Sequence, residues 1–342
     1  MKKQIYIKKA IFPAALWIVG MLIGLWGLFR IESLRESLPE QLAAERWDKD
    51  AVQVSCFLSE EAGLTPDKIR SVRETFEVQL SQDTENAGWY DAYSCEMGHI
   101  QAFGSKRTFR LVELILISDC YFRIHNDTLL TGSYLTEARV SSMGVVLEKQ
   151  AAWDLFGSVD IIGMQVVFEN RICEVTGVIE SRTPSPRIYM LYGDYMCNET
   201  DSVPITSYEA ILPEPVKEYG LNLFQETMES VLQPPALETE NSTIEEQYHI
   251  VQNTGRLSVS GAWAYLKVLP EYITHTKPIV YPDYENEALR QLHRIAVVVL
   301  LSGAGFTLAG IAVLIAVWRM KGVKSFWITF LKKAARDESL YR

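Results

Sequence analysis

Residues 11–29 and 295–318 are unbroken runs of uncharged, mostly apolar positions, and the long stretch between them is patterned at shorter periods. Each run is long enough to cross a hydrocarbon core as a helix, which takes about 20 residues. After the first run, Leu34, Leu38, Leu42 and Ala43 recur at helical spacing among charges. This predicts a helical stalk over 30–47, kinked or restarted at Pro39. Residues 51–58 read as a strand. Thr65-Pro66-Asp67 then opens a helix, with Thr65 as N-cap and Pro66 at the first helical position. Ile69, Val72, Phe76 and Leu80 share one face of it, which predicts packing against a sheet.

Residues 81–91 are polar and read as a loop, and 109–117 as a strand. A short helix is expected over 147–156, stopped by Gly157. Strands at 165–169 and 172–179 flank a turn at Asn170, the pattern of a hairpin. Further strands are expected near 188–192 and 208–212, a helix near 221–232 ending before Pro234-Pro235, and another helix somewhere in 244–269.

Charge orients this pattern. Lys2, Lys3, Lys8 and Lys9 precede the first run, and Arg319, Lys321, Lys324, Lys332, Lys333 and Arg336 follow the second. The positive-inside rule puts both ends in the cytoplasm and the middle outside a cell membrane. His293, Arg294 and Arg30 at the outer ends are outnumbered. The first run exceeds a signal core and lacks a small-residue cleavage site, so it reads as an uncleaved anchor. The formal charge of −10 divides into +4 in the head, +5 in the tail and therefore about −19 between them. So acidic a domain lacks the basic footprint that nucleic acid requires.

Catalytic patterns are missing: no G-x-x-x-x-G-K-[ST], H-E-x-x-H or G-x-S-x-G occurs. His99, His125, His249, His275 and His293 stand apart from one another, each reading as an ordinary surface residue. Acidic pairs such as Glu60-Glu61 and Glu245-Glu246 read as solvated. Cys56, Cys95, Cys120, Cys173 and Cys197 show no C-x-x-C pair. An outside location permits bridges, and their odd number leaves at least one thiol free or paired between chains. The sequence therefore predicts no enzyme, cofactor or metal site. Sequons at Asn126, Asn198 and Asn241 would matter only in a secretory pathway that glycosylates them.

The membrane runs carry small residues at packing intervals. Gly20, Gly24 and Gly27 form a stripe in the first, while Gly303 with Thr307 and Gly305 with Ala309 repeat the spacing in the second. Such faces admit close backbone approach, to each other or to partner helices. Residues 323–335 are basic and amphipathic. Phe326, Trp327, Phe330 and Leu331 suit a lipid boundary, while Lys332 and Lys333 suit headgroups or a cytoplasmic docking partner.

One block is specific. Residues 117–137 (ISDCYFRIHNDTLLTGSYLTE) carry Tyr121-Phe122, Leu129-Leu130, Gly132 and Glu137. Residues 145–180 carry Ala151-Ala152, Leu155-Phe156-Gly157, Ile162-Gly163 and Val175-x-Gly177-Val178. Together they resemble the MacB-like periplasmic core domain of MacB-type and FtsX-type permeases of ABC transporters. The resemblance implies an α+β extracytoplasmic domain of two lobes, flanked by two transmembrane α-helices. The domain would span 48–292, with an inserted lobe at about 109–189, followed by a transmembrane helix over 293–318 and a cytoplasmic tail over 319–342.

It further implies a non-catalytic permease-like subunit of an ABC-type export or signalling complex. The outer domain would relay ATP-driven motion or bind partners. A separate cytoplasmic ABC ATPase, a homo- or heterodimer and surrounding membrane lipid are the partners expected. That family usually has four spans and an arginine-glutamate-isoleucine-glycine run after the second. Here two spans occur, with Trp318-Arg319-Met320-Lys321-Gly322 at that point. The expectation is a half-permease completed by a further permease subunit, or an accessory subunit that kept the outer domain. The alternative is a stand-alone, membrane-tethered binding or sensor protein without ATPase coupling.

Overall fold

A computed structural model describes the backbone of residues 2–48, 50–83, 88–106, 108–137, 143–182, 185–197, 203–232, 247–274 and 279–338. Side chains are described in these segments except at 2–12, 39, 82–83, 268–274 and 317–338. The chain divides into two compact units. One comprises residues 1–37, 257–269 and 290–342; the other comprises 38–256 and 270–289.

The second unit is an α+β domain built on one ten-stranded sheet. The stalk restarts at Pro39, one of the two outcomes expected there. After α1 (Lys2–Arg35), the helix restarts as a 3-10 turn at Pro39–Leu42 and a short α2 (Ala43–Trp47). Proline has no N–H to donate back into the preceding turn and clashes with it, so the restart falls where the sequence places Pro39.

Next, β1 (Ala51–Leu58) is buried along its whole length, and α3 (Pro66–Asp83) covers one face of the sheet. The Thr65 hydroxyl accepts from Lys68 N at 3.4 Å at the start of α3. Ile69, Val72, Phe76 and Leu80 are all buried in the main core. This strand and this helix lie where the apolar pattern puts them.

The polar stretch 81–91 is not a plain loop. The helix reaches Asp83, and β2 (Tyr90–Phe103) has already begun by Asp91. This fourteen-residue strand escaped the pattern because it bulges between Glu96 and His99 and buries Asp91 and Ser94. It therefore shows no clean alternation. β3 (Arg110–Ile117) follows, then α4 (Tyr121–His125) and β4 (Leu129–Gly132).

Leu147 is not helical: β5 (Gly144–Glu148) claims it, and α5 is confined to Lys149–Leu155. The run Gly-Val-Val-Leu-Glu is buried at every position and carries no period that separates strand from helix. Gly157, at φ +81°, ends α5 with its N–H on Ala152 O and Trp153 O. Glu169 and Asn170, both at positive φ, turn the hairpin from β6 (Gln165–Phe168) into β7 (Arg171–Ile179). The remaining elements are β8 (Arg187–Leu191), α6 (Tyr192–Met196), β9 (Ser207–Pro213), α7 (Tyr219–Leu232) and β10 (Tyr248–Gln252).

Strand order resolves the two lobes. β10, β1, β9 and the first half of β2 form an antiparallel half-sheet. The far half of β2 pairs with β3 and with β6, and the ladder runs β3–β8–β5–β7–β6 back to β2 as a closed ring. The lobes are thus two halves of one sheet that share β2. Val112, Leu114, Val145, Leu147, Val166, Phe168, Val175 and Met190 belong to the main core. Their neighbours Ile115, Ile117, Val146, Tyr189 and Leu191 point to the opposite side and build a second core with α2 and α4.

The first unit holds α1, most of α8 (Val259–Thr274) and the greater part of α9 (Asp283–Glu338). Two stretches, Pro13–Arg35 and Asp283–Ala316, are long and apolar enough to cross a membrane. The tail is not a separate helix, because α9 continues unbroken from the span through 319–338.

Candidate functional site at the root of the last helix

The residues that root α9 in the domain are held by side chains of the sheet and of the turn after β10. Asp283, in its first turn, pairs with Arg187 of β8. Its backbone N–H donates to Glu96 of β2 at 3.1 Å. A carboxylate at that place suits the exposed N–H groups and positive end of a helix. Tyr284 shares a hydrogen bond of 2.6 Å with Ser207, and its ring meets the edge of His125 at 4.6 Å between centroids. Glu285, fully buried, takes a two-pronged bond from Arg256 at 2.5 and 2.9 Å.

From here a chain of buried polar contacts crosses the sheet. Arg256 donates to Asn253 at 3.3 Å, Asn253 donates to Ser55 at 2.6 Å, and Ser55 donates to Glu209 at 2.6 Å. Glu209 meets His125 Nε2 at 2.8 Å, and the His125 ring lies flat on Tyr121 at 3.9 Å. Arg182 then joins the His125 carbonyl (2.6 Å) to Asp127 (2.6 Å) and to Glu40. Glu40 follows the restart of the stalk. Gln53 ties down that same end, donating to Glu40 O at 2.7 Å and accepting from Ala43 N at 3.2 Å. The two places where the domain's chain departs toward the apolar helices therefore share one buried network.

Its electrostatics are uneven. Arg187 is met by Glu113 at 2.9 Å and Glu148 at 4.0 Å as well as by Asp283, so carboxylates outnumber the cation. Burial pushes the carboxyls of Glu96 and Glu148 up to about 7. Burial also acts on Glu113, but hydrogen bonds from Ser185 and Arg187 outweigh it and hold that carboxyl below its ordinary value. Burial raises Glu40 despite Arg182 beside it.

The arrangement does not activate a nucleophile. In Ser55–Glu209–His125 the carboxylate sits in the middle, whereas base-assisted attack needs the histidine next to the hydroxyl. All three side chains are buried. Among the described residues, no group of three or more His, Cys, Asp or Glu side chains is placed to hold a metal ion. A polar groove of about 380 Å³ between α3 and α7, lined by Thr75, Gln79, Asn222, Glu226 and Ser230, lies on other elements. The five cysteines are free thiols, and burial raises those of Cys95, Cys120 and Cys173.

The motif residues fall into three groups. Tyr121 and Phe122 are buried beside this network. Gly132 and Gly177 face each other across the β4–β7 pair, where a Cβ on Gly132 would lie 2.9 Å from Gly177 Cα. Leu155 is buried, Phe156 packs at the edge of the main core, and Gly157 and Gly163 hold positive φ at turns. Among the span candidates, a Cβ on Gly20 would meet Gly305 O at 2.5 Å and Ala309 N at 2.8 Å. One on Gly24 would meet the Phe306 ring, and one on Gly27 would meet Ser302. Gly303 has nothing within 4 Å. The side chains of Phe326, Trp327, Phe330, Lys332 and Lys333 lie outside the described residues, as do His275, Glu245, Glu246, Asn198 and Asn241.

Sequence reasoning missed the network itself. His125 is a buried partner of Glu209 rather than a surface histidine, and Glu40, Glu148, Glu209 and Glu285 are buried acids in a chain where acids read as solvated. Their partners are up to 154 residues away in sequence, so no local spacing could announce them.

No family model matches the chain, and no curated protein matches it. Among solved structures, it is similar to the periplasmic region of MacB from Actinobacillus actinomycetemcomitans. That match has 18% identity and a TM-score of 0.44, covering 59% of this chain and 89% of that one. It is also similar to the extracellular domain of the noncanonic ABC-type transporter YknZ from Gram-positive bacteria. There the identity is 13% and the TM-score 0.43, covering 59% of this chain and 99% of that one.

Proposed function

We propose that this chain is a non-catalytic, permease-like membrane subunit of an ABC-type export or transmembrane signalling complex. Its acidic domain stands outside the cell membrane and relays motion or binds partners there. The basic flanks at both ends are cytoplasmic. A separate cytoplasmic ABC ATPase supplies the motion, with a further permease subunit or a second copy completing the assembly.

The observation that carries this reading is the network joining Glu40 to Glu285 through Arg182, His125, Glu209, Ser55, Asn253 and Arg256, with the Tyr284 ring against His125. A domain that serves only as a tethered receptor has no need to fix both of its exits to one buried frame. A domain that moves with its helices does. The motif blocks at 117–137 and 145–180 support the family half of the reading, and Tyr121 of the first block stacks on the network's histidine.

The test is purification of the intact chain from its native membrane in mild detergent. A co-eluting P-loop ATPase, or a permease with further spans, is the expected result. Repeated recovery of the intact chain with neither would overturn the proposal in favour of a stand-alone sensor.

A further inference from the structure

A third apolar helix belongs with the two spans. α8 (Val259–Thr274) begins seven residues after β10 ends at Gln252, and its residues up to Leu269 fall in the same compact unit as α1 and α9. Ser258 starts it, with its hydroxyl accepting from Gly261 N at 3.1 Å and its carbonyl from Ala262 N at 2.9 Å. Its described part, Val-Ser-Gly-Ala-Trp-Ala-Tyr-Leu-Lys, has no charge before Lys267. Ala262 is fully buried, yet on the neighbouring stripe Val259 is 44% and Trp263 53% exposed. Leu266 continues that stripe one turn further on.

Sixteen residues make about 24 Å of helix, short of the roughly 30 Å hydrocarbon core. α8 is therefore too short to be a third span, and its exposed residues set Val259 and Trp263 beside Ser260, Ala264 and Lys267, the mixture of an interfacial helix. Tryptophan and tyrosine concentrate where a membrane meets water, and a lysine at such a boundary extends toward the headgroups.

Resting on the membrane reading above, we propose that residues 257–269 form an interfacial helix. It lies in the bilayer boundary on the side that holds the sheet domain, with Val259, Trp263 and Leu266 against lipid. The occupant of this face is the bilayer, because the same compact unit already presents lipid-type surface at Leu22, Leu25, Leu300 and Leu301. A helix lying there is sensitive to tilt or lateral movement of the spans beside it.

The test places an environment-sensitive nitrobenzoxadiazole probe on single introduced cysteines. The full chain carries Cys120→Ser and Cys197→Ser and is reconstituted in phosphatidylcholine–phosphatidylglycerol vesicles. Probes at Val259→Cys and Trp263→Cys are expected to emit blue-shifted light. Quenching should be stronger by lipid spin labels near the headgroup than by labels near the chain end. Leu300→Cys reports the span and Val78→Cys, on exposed α3, reports water. Quenching at Leu300→Cys but at neither helix position overturns the interfacial assignment alone, and so does quenching there by deep labels only. Absence of quenching at Leu300→Cys overturns the membrane reading and this inference with it.

Discussion

His125 Nε2 sits 2.8 Å from Glu209 Oε2, and the two side chains are only 2% and 3% exposed. The pair lies on the opposite side of the sheet from the main core, with Tyr121 stacked on the ring and Tyr284 of α9 meeting its edge. Removing the imidazole would leave the buried Glu209 side chain with Ser55 as its one hydrogen-bond partner among the described residues. His125→Ala is expected to destabilise the domain by about 1–3 kcal/mol, the usual cost of leaving a buried polar group without its hydrogen-bond partner. His125→Leu with Glu209→Leu removes both polar partners and should recover much of that loss. Denaturant unfolding of the native chain and these two variants checks this, and equal losses for the single and double variants would sink it.

Stability should fall as pH rises through neutrality. Glu96 and Glu148 hold their protons up to about pH 7 in the folded domain, against 4.5 for an ordinary glutamic acid. Between those values the folded state binds more protons than the unfolded chain. Their contribution is therefore complete below pH 4.5 and lost as pH climbs past 7. Each group contributes at most about 1.4 kcal/mol per pH unit to that slope. Glu96→Gln and Glu148→Gln should each flatten the profile between pH 5 and pH 8. Glu113, whose carboxyl is held low, contributes the opposite trend at acid pH, so Glu113→Gln should leave that window's slope in place.

The two spanning helices offer a matched pair of substitutions. At Gly20 a side chain would strike backbone of the facing helix, whereas at Gly303 it would meet open space. Gly20→Val should lower thermal stability in detergent by about 1–3 kcal/mol, the cost typical of overpacking. Gly303→Val should change little. Equal effects at both positions would show that these helices do not pack along the Gly20 face.

Turn glycines divide in the same way. Gly132 and Gly163 share φ near +80°, but a Cβ at Gly132 meets Ile162 and the Gly177 backbone, while at Gly163 it meets nothing. Gly163→Ala should cost only the backbone strain of a left-handed residue, about 1–2 kcal/mol. Gly132→Ala adds a collision with β7 and should cost distinctly more. A soluble yield and melting comparison of the two variants decides it.

Local pattern was sufficient wherever one face of an element is apolar and its ends carry their own signals. The strand at 51–58, the helix opened by Thr65-Pro66, the helix stop at Gly157 and the hairpin turned at Asn170 are of this kind. β2 and β5 were not legible. One breaks its alternation with a bulge and buried polar residues, and the other is buried on both faces. The period of two that announces a strand comes from one apolar and one polar face, and on β1 the polar face is Gln53 and Ser55, buried in hydrogen bonds.

The sequence by itself determined two apolar helices, the acidic character of the domain between them, and the glycine positions that its turns require. Those are properties of single residues and their near neighbours. Only the tertiary structure decided that the two lobes share one sheet, that Glu209 and Glu285 are buried rather than solvated, and that His125 lies between them and the stalk. A buried charge is tolerable only beside its partner. Here the partners come from strands far apart in the chain, and nothing but the fold brings them together.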